Sequence, residues 1–199
     1  MPDLNLPLSN DYNFYILVEC MGTSADADKE MFENALGEAL ENETIGDAVI
    51  SQSDREVENI WRIRDATAEV VTKVGYMHSY DVGINVGDMG FFGEEVVKQL
   101  KQKWPESIIS LFGHIGDGNI HVNFFAGPKT KADLHDVDEV IYTIVRDLKG
   151  TISAEHGIGM MKRPFLNYCK SEAEINLMRT LKRAMDPKGI LSPGRIIEI

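Results

Sequence analysis

The chain has 199 residues, 43% hydrophobic and 26% charged, an ordinary globular composition with room for one large domain or two small ones. Its 32 acidic residues against 20 basic ones give a formal charge of −12. That charge repels a phosphate backbone or an anionic bilayer, which excludes nucleic acid as an expected partner.

The elements follow in chain order. "FYILVEC" (14–20) is the first apolar run and predicts a strand. Residues 26–41 carry Met31, Ala35, Leu36 and Leu40 at helical spacing, and "DAVISQS" (47–53) predicts a second strand. A second helix is expected over 54–74, with Ser53 or Asp54 as its N-cap and Gly75 closing it. "YDVGINV" (80–86) predicts a strand and 89–104 a helix, stopped by Pro105. "SIISLFGH" (107–114) and "NIHVNFF" (119–125) predict two strands about a tight turn. A helix over 131–150 has Leu134, Val137, Ile141, Ile144, Val145 and Leu148 on one face. "TISAE" (151–155) predicts a last strand, and "EAEINLMRTLKRAMD" a helix in the tail, ended by Pro187 and Gly189.

From residue 80 this is the strand–helix–strand–strand–helix–strand order of a ferredoxin-like unit. The first part repeats only strand–helix–strand–helix. The expected class is therefore α+β, an antiparallel sheet covered by helices, in two ferredoxin-like halves of which the first is incomplete. The divisions are 1–76, a partial first half with its connecting helix, 77–160, the second half, and 161–199, a helical tail. No apolar run approaches the ~18–20 residues of a membrane span, and the opening residues lack the regions of a secretory signal. Cys20 and Cys169 stand outside any metal or redox spacing, which suits a reducing, cytoplasmic setting.

The strongest local signal is "GHIGDGNIHVN" (113–123), where two of the five histidines flank a Gly-Asp-Gly turn. With Asp117 and Gly118 in a type I′ turn, His114 faces His121, Phe112 faces Asn123 and Ile115 faces Ile120. Ile109, Leu111, Ile120, Val122 and Phe124 then form the core side, and His114, His121 and Asn123 share the other. Directly opposed imidazoles, with Cβ atoms ~4.5–5.5 Å apart, can converge on one cation; the same pair can also do no more than hydrogen-bond near an exposed tip. Glu155 and His156, in "SAEHGIG" (153–159), offer a third ligand. Histidines with a carboxylate suit a divalent ion, zinc first and manganese or iron as alternatives.

"GHIGDGNIHVNFF", "SAEHGIGMMKRPFL" and "MRTLKRAMDPKGILSPGRI", in that order, resemble the C-terminal domain of FAD-linked oxidases of the vanillyl-alcohol oxidase type. Within that family the likeness is to D-lactate dehydrogenases, glycolate oxidase flavin subunits and D-2-hydroxyglutarate dehydrogenases. It runs from about residue 14 to the end of the chain. The resemblance implies oxidation of a small 2-hydroxy acid to a 2-oxo acid, with hydride passed to FAD and electrons to an unnamed acceptor. It implies His114, His121 and Glu155 as metal ligands and His156 as general base. It implies Asn123 and Arg64 as substrate contacts, the arginine by a bidentate grip on a carboxylate.

The chain also departs from the family. Ser79 stands where lysine is usual, Gly83 and Asn85 replace a serine and a proline, and Ala68 replaces a threonine of the hydroxyglutarate enzymes. The missing cation favours a monocarboxylate such as D-lactate or glycolate. "SPGR" (192–195) leaves Ser192 as a candidate flavin contact. Nothing resembles the family's glycine-rich FAD-binding domain, so the expectation is a fragment or one piece of a split enzyme, inactive alone, whose FAD domain is supplied in cis or in trans. A homodimer is compatible with this. The competing expectation is a non-catalytic metal- or ligand-binding module derived from the same domain.

Overall fold

The computed structural model describes residues 6–67, 77–127 and 133–198. It divides into two units, Met1–Lys73 and Val74–Ile199.

In the first unit two helices form, α1 (Ala25–Glu41) and α2 (Asp54–Asp65). The Ser53 hydroxyl accepts from the Glu56 N–H at the start of α2, with Asp54 and Glu56 in its first turn, where carboxylates suit the helix dipole. The expected extension of α2 to residue 74, its closure at Gly75 and the substitution at Ala68 lie outside the described residues. Neither expected strand forms: among the described residues of this unit, 14–20 and 47–53 pair with nothing in a sheet. A strand exists only through a partner's N–H and C=O groups, and here propensity alone had to stand in for one. Phe14 and Ile16 are correspondingly exposed, at 80% and 62%.

The second unit carries the sheet. Strands β1 (His78–Gly83), β2 (Ile108–His114) and β3 (Asn119–Phe125) are antiparallel in the order β1-β3-β2. Helix α3 (Met89–Lys103) joins β1 to β2, and α4 (Leu134–Asp147) follows β3. Strand β1 stops early because the Asn85 side chain accepts from the Gly87 N–H and starts a 3₁₀ turn at Val86–Asp88. Phe92, Val96 and Leu100 of α3 and Val137, Ile141 and Val145 of α4 bury against Val82, Ile120, Val122 and Phe124 of the sheet. All the helical core contacts fall on that one face. The other face is left for polar side chains.

Two expectations about the sheet need correction. The last strand, 151–155, is reduced to a single antiparallel bridge between Thr151 and Gly83, so a four-stranded ferredoxin-like half is not formed. The hairpin is also not a two-residue type I′ turn. Ile115–Asp117 form a 3₁₀ turn, and only Gly118 takes positive φ (68°), so four residues make the loop and His114 pairs with Asn119. Phe112, not His114, then faces His121. The register differs from the expected one by two residues, which preserves every side chain's face.

The tail holds α5 (Glu172–Met185), opened by a capping box in which Ser171 and Glu174 satisfy each other's backbone N–H groups. It ends at Asp186, whose carboxylate accepts from the Ile190 and Leu191 N–H groups after Gly189 has turned the chain at φ 64°.

Candidate metal centre

The polar face of the sheet is built by alternation. Strand β3 contributes His121 and Asn123, β2 contributes His114 and Phe112, and β1 contributes Ser79 and Asp81, opposite Asn123 and His121 respectively. After the Thr151 bridge the chain leaves the edge of β1 and turns across this face rather than continuing as a strand. That turn carries Glu155 to the two histidines. Glu155 Oε1 lies 3.5 Å from His114 Nε2, and Oε2 lies 3.9 Å from His121 Nε2.

One donor atom from each of His114, His121 and Glu155 lies within 4.8 Å of the other two. Donors bound ~2.0–2.1 Å from a tetrahedral zinc ion sit roughly 3.3–3.5 Å apart, so a small inward movement would close the cage. The donor set is two imidazoles, borderline ligands, and a hard carboxylate, a mixture that fits zinc, manganese or iron. Glu155 and His114 are about half exposed, which leaves coordination positions open on the solvent side.

His121 is held most firmly. Its ring lies between Phe112, 4.9 Å between centroids, and His156, 5.5 Å, both within about 30° of parallel. Burial holds its pKa below the ordinary histidine value, against the opposing pull of Asp81 and Glu155. The ring is therefore neutral at pH 7, as a ligand must be. His156 is more exposed, and its Nδ1 lies 3.9 Å from Asp81 Oδ2. Asn123 is buried, and its Oδ1 accepts from the Ser79 hydroxyl at 2.7 Å. With the oxygen occupied, the amide NH₂ is the group left to contact a ligand.

Arg64 belongs to the first unit, near the end of α2, exposed and paired with its neighbour Asp65 at 3.2 Å. Ser192 is exposed in the turn 192–195 with φ 44°, its carbonyl accepting from the Arg195 N–H. The group that sequence reasoning passed over is Asp81, which is fully buried beside His121. Its signal was present: a lone carboxylate in "HSYDVGINV" at an alternate position of a half-apolar strand.

Comparison with known proteins agrees with the motif-level likeness. The family model described as "FAD linked oxidases, C-terminal domain" matches residues 3–196. The chain is 34% identical over 192 residues to the mitochondrial D-2-hydroxyglutarate dehydrogenase of Arabidopsis thaliana, covering 96% of this chain and 34% of that protein. It is 34% identical over 207 residues to the D-2-hydroxyglutarate dehydrogenase of Stutzerimonas stutzeri, covering 98% and 42%. A mitochondrial Schizosaccharomyces pombe protein whose name points to D-lactate dehydrogenase is 32% identical over 200 residues, covering 96% and 38%. The chain thus spans between a third and a half of the length of these relatives.

Proposed function

The chain belongs to the family of FAD-linked oxidase C-terminal domains, and we propose that it is the metal- and substrate-binding part of a flavin-dependent 2-hydroxyacid dehydrogenase. The observation that carries this reading is the convergence of His114, His121 and Glu155, from three separate segments, on one ion-sized space. The FAD-binding part is supplied by a further domain, in cis or in trans. In this reading the second unit is the remnant of a ferredoxin-like half whose fourth strand gives way to the ligand-bearing turn.

When bound, a divalent ion supplies Lewis acidity toward a hydroxyl oxygen, and FAD supplies a hydride acceptor. The chain's own residues do the rest. His156 takes the hydroxyl proton; its Nδ1 side faces Asp81 (3.9 Å), which leaves Nε2 as the receiving nitrogen. Asn123, its oxygen tied to Ser79, offers NH₂ to the substrate carboxylate. The relatives carry both hydroxyglutarate and lactate names at similar identity, so identity does not choose between them. Ser79 favours the smaller acid: an uncharged hydroxyl already engaged with Asn123 offers a second carboxylate no charge to pair with, and a small monocarboxylate such as D-lactate or glycolate is the substrate expected.

Calorimetric titration of the metal-free chain with zinc tests the site. One ion per chain is expected, with affinity reduced at least about tenfold in His114→Ala and Glu155→Gln. A chain that binds no zinc, manganese or iron would overturn the reading. With the ion bound, D-lactate should bind more tightly than D-2-hydroxyglutarate, and the reverse order would remove the substrate assignment.

A further inference from the structure

Glu155 is the one ligand that no regular element holds. His114 and His121 sit on paired strands, whereas residues 152–159 have no helix or strand to fix them. Their geometry comes instead from one side chain. Asp81, on β1 and fully buried, accepts the Glu155 N–H at 3.1 and 3.0 Å, the His156 N–H at 2.8 Å and the Ser153 hydroxyl at 3.1 Å. Lys162 completes the knot. Its ammonium donates to the Asp81 carbonyl at 3.2 Å, the Asp81 carboxylate at 3.4 Å and the Ser153 hydroxyl at 3.0 Å. The backbone donors of two consecutive residues, the ligand Glu155 and the base His156 of the reading above, thus end on a single carboxylate.

The charges follow from this packing. Burial pushes the Asp81 carboxyl upward, but the His156 and Glu155 N–H groups, Lys162 and Ser153 together hold it below the usual carboxylate range. Lys162 also lies below its ordinary value, because burial outweighs the attraction of Asp81. The two partners move the same way for different reasons: Asp81 has four stabilising donors, Lys162 one carboxylate.

We propose that Asp81, with Lys162 as its counter-ion, is the positioning residue of the metal centre, fixing the 153–156 turn so that Glu155 completes the ion's ligand set. The inference rests on the metal-site reading and adds to it a residue that touches neither ion nor substrate. An amide at position 81 cannot replace the carboxylate. Whichever way it is oriented, its NH₂ meets at least one of the backbone N–H donors. Second-shell losses of this kind lower metal affinity ~10–100-fold.

The experiment is a double-mutant cycle on the full 199-residue chain, titrated with zinc and, for its visible absorption, with cobalt(II). Asp81→Asn should weaken zinc binding ~10–100-fold. It should also change the cobalt spectrum in the same sense as Glu155→Gln. In the Glu155→Gln background the same substitution should have almost no further effect, because the side chain it positions is no longer a ligand. A loss of equal size in both backgrounds would mean that Asp81 acts only as a distant negative charge, and unchanged zinc affinity in folded Asp81→Asn would mean that it does not act at all. Either result overturns the proposal while leaving the metal site standing. A wild-type chain that binds neither ion removes both. If Asp81→Asn loses the native circular dichroism spectrum, Ser153→Ala takes its place in the cycle. It deletes one donor to Asp81 without changing charge, and it should weaken zinc binding in the wild-type background but not in Glu155→Gln; equal effects in the two overturn the proposal.

Discussion

Replacing Gly118 by alanine should open the hairpin that carries both histidines. Gly118 sits at φ 68° and ψ 16°, and a Cβ built there would lie 2.1 Å from the Ile84 carbonyl oxygen. The obstacle is backbone, so it cannot rotate away. Relief requires the two backbone segments to separate by about 1 Å, well beyond the tolerance of a packed contact. The same movement breaks the 2.7 Å bond from the Ile84 N–H to the Gly118 carbonyl. The left-handed conformation costs alanine about 1–2 kcal/mol and the lost bond about 1 kcal/mol. A total of roughly 2–3 kcal/mol corresponds to a fall in Tm of about 6–15 °C for a unit of this size. Thermal unfolding followed by circular dichroism measures it, and zinc titration of the folded fraction should show weaker binding because Asn119 and His121 move with the strand. Gly116 is the control: it lies in the same turn at negative φ with nothing within 4 Å of its Cβ, so Gly116→Ala should leave Tm unchanged or slightly raised. If Gly118→Ala unfolds within about 2 °C of wild type, the close approach of these two backbone segments does not hold the hairpin.

Other consequences follow from the same geometry. Phe124, fully buried on β3 with its ring 5.2 Å from Trp104, should cost about 3–5 kcal/mol when replaced by alanine, read from urea unfolding of the chain. Asp138 accepts from the Tyr80 hydroxyl at 2.8 Å, and burial raises its pKa above the ordinary aspartate value. The folded state then holds a proton that the unfolded chain has released, so wild-type stability falls as pH rises from about 3.8 through the raised value. Asp138→Asn lacks this loss, and its Tm relative to wild type should increase between pH 3.5 and pH 7; a constant difference would count against the buried charge. Ser171→Ala removes the capping box of α5 and should cost about 1 kcal/mol, seen as roughly fivefold faster amide exchange in the first turn of that helix.

Much of the second unit was legible because its apolar residues follow one period at a time. Strand β3 matches its expected span, 119–125, since "NIHVNFF" alternates cleanly, and α3 stops where Pro105 predicts. The turn differs from the expected one because Asp-Gly makes a type I′ hairpin only if both residues take positive φ, and Asp117 does not. The difference was harmless to the site for a physical reason: a two-residue slip changes partners but not faces, so His114, His121 and Asn123 stayed together. The first unit shows the opposite case. "FYILVEC" has as much strand propensity as β2, yet no strand pairs with it among the described residues, and Phe14, Ile16 and Val18 remain exposed.

The position of Glu155 was the hardest feature to reach from residue order alone. A regular fourth strand, running parallel to β3, would carry that carboxylate toward the edge of the sheet far from the hairpin tip. The chain resolves this by making one bridge at Thr151 and then exchanging backbone pairing for side-chain pairing. The N–H groups that a strand would have given to β1 carbonyls go to the Asp81 carboxylate instead, through Glu155 and His156. A buried carboxylate can serve in this way only if its charge is met, and Lys162, nine residues past Ser153, is the cation that meets it. The expected strand over 151–155 survives only as the Thr151 bridge at the edge of β1. What that expectation did not contain was that one aspartate on β1 could supply the hydrogen-bond partners, and that a segment tied to a side chain rather than a ladder is free to bend over the sheet face.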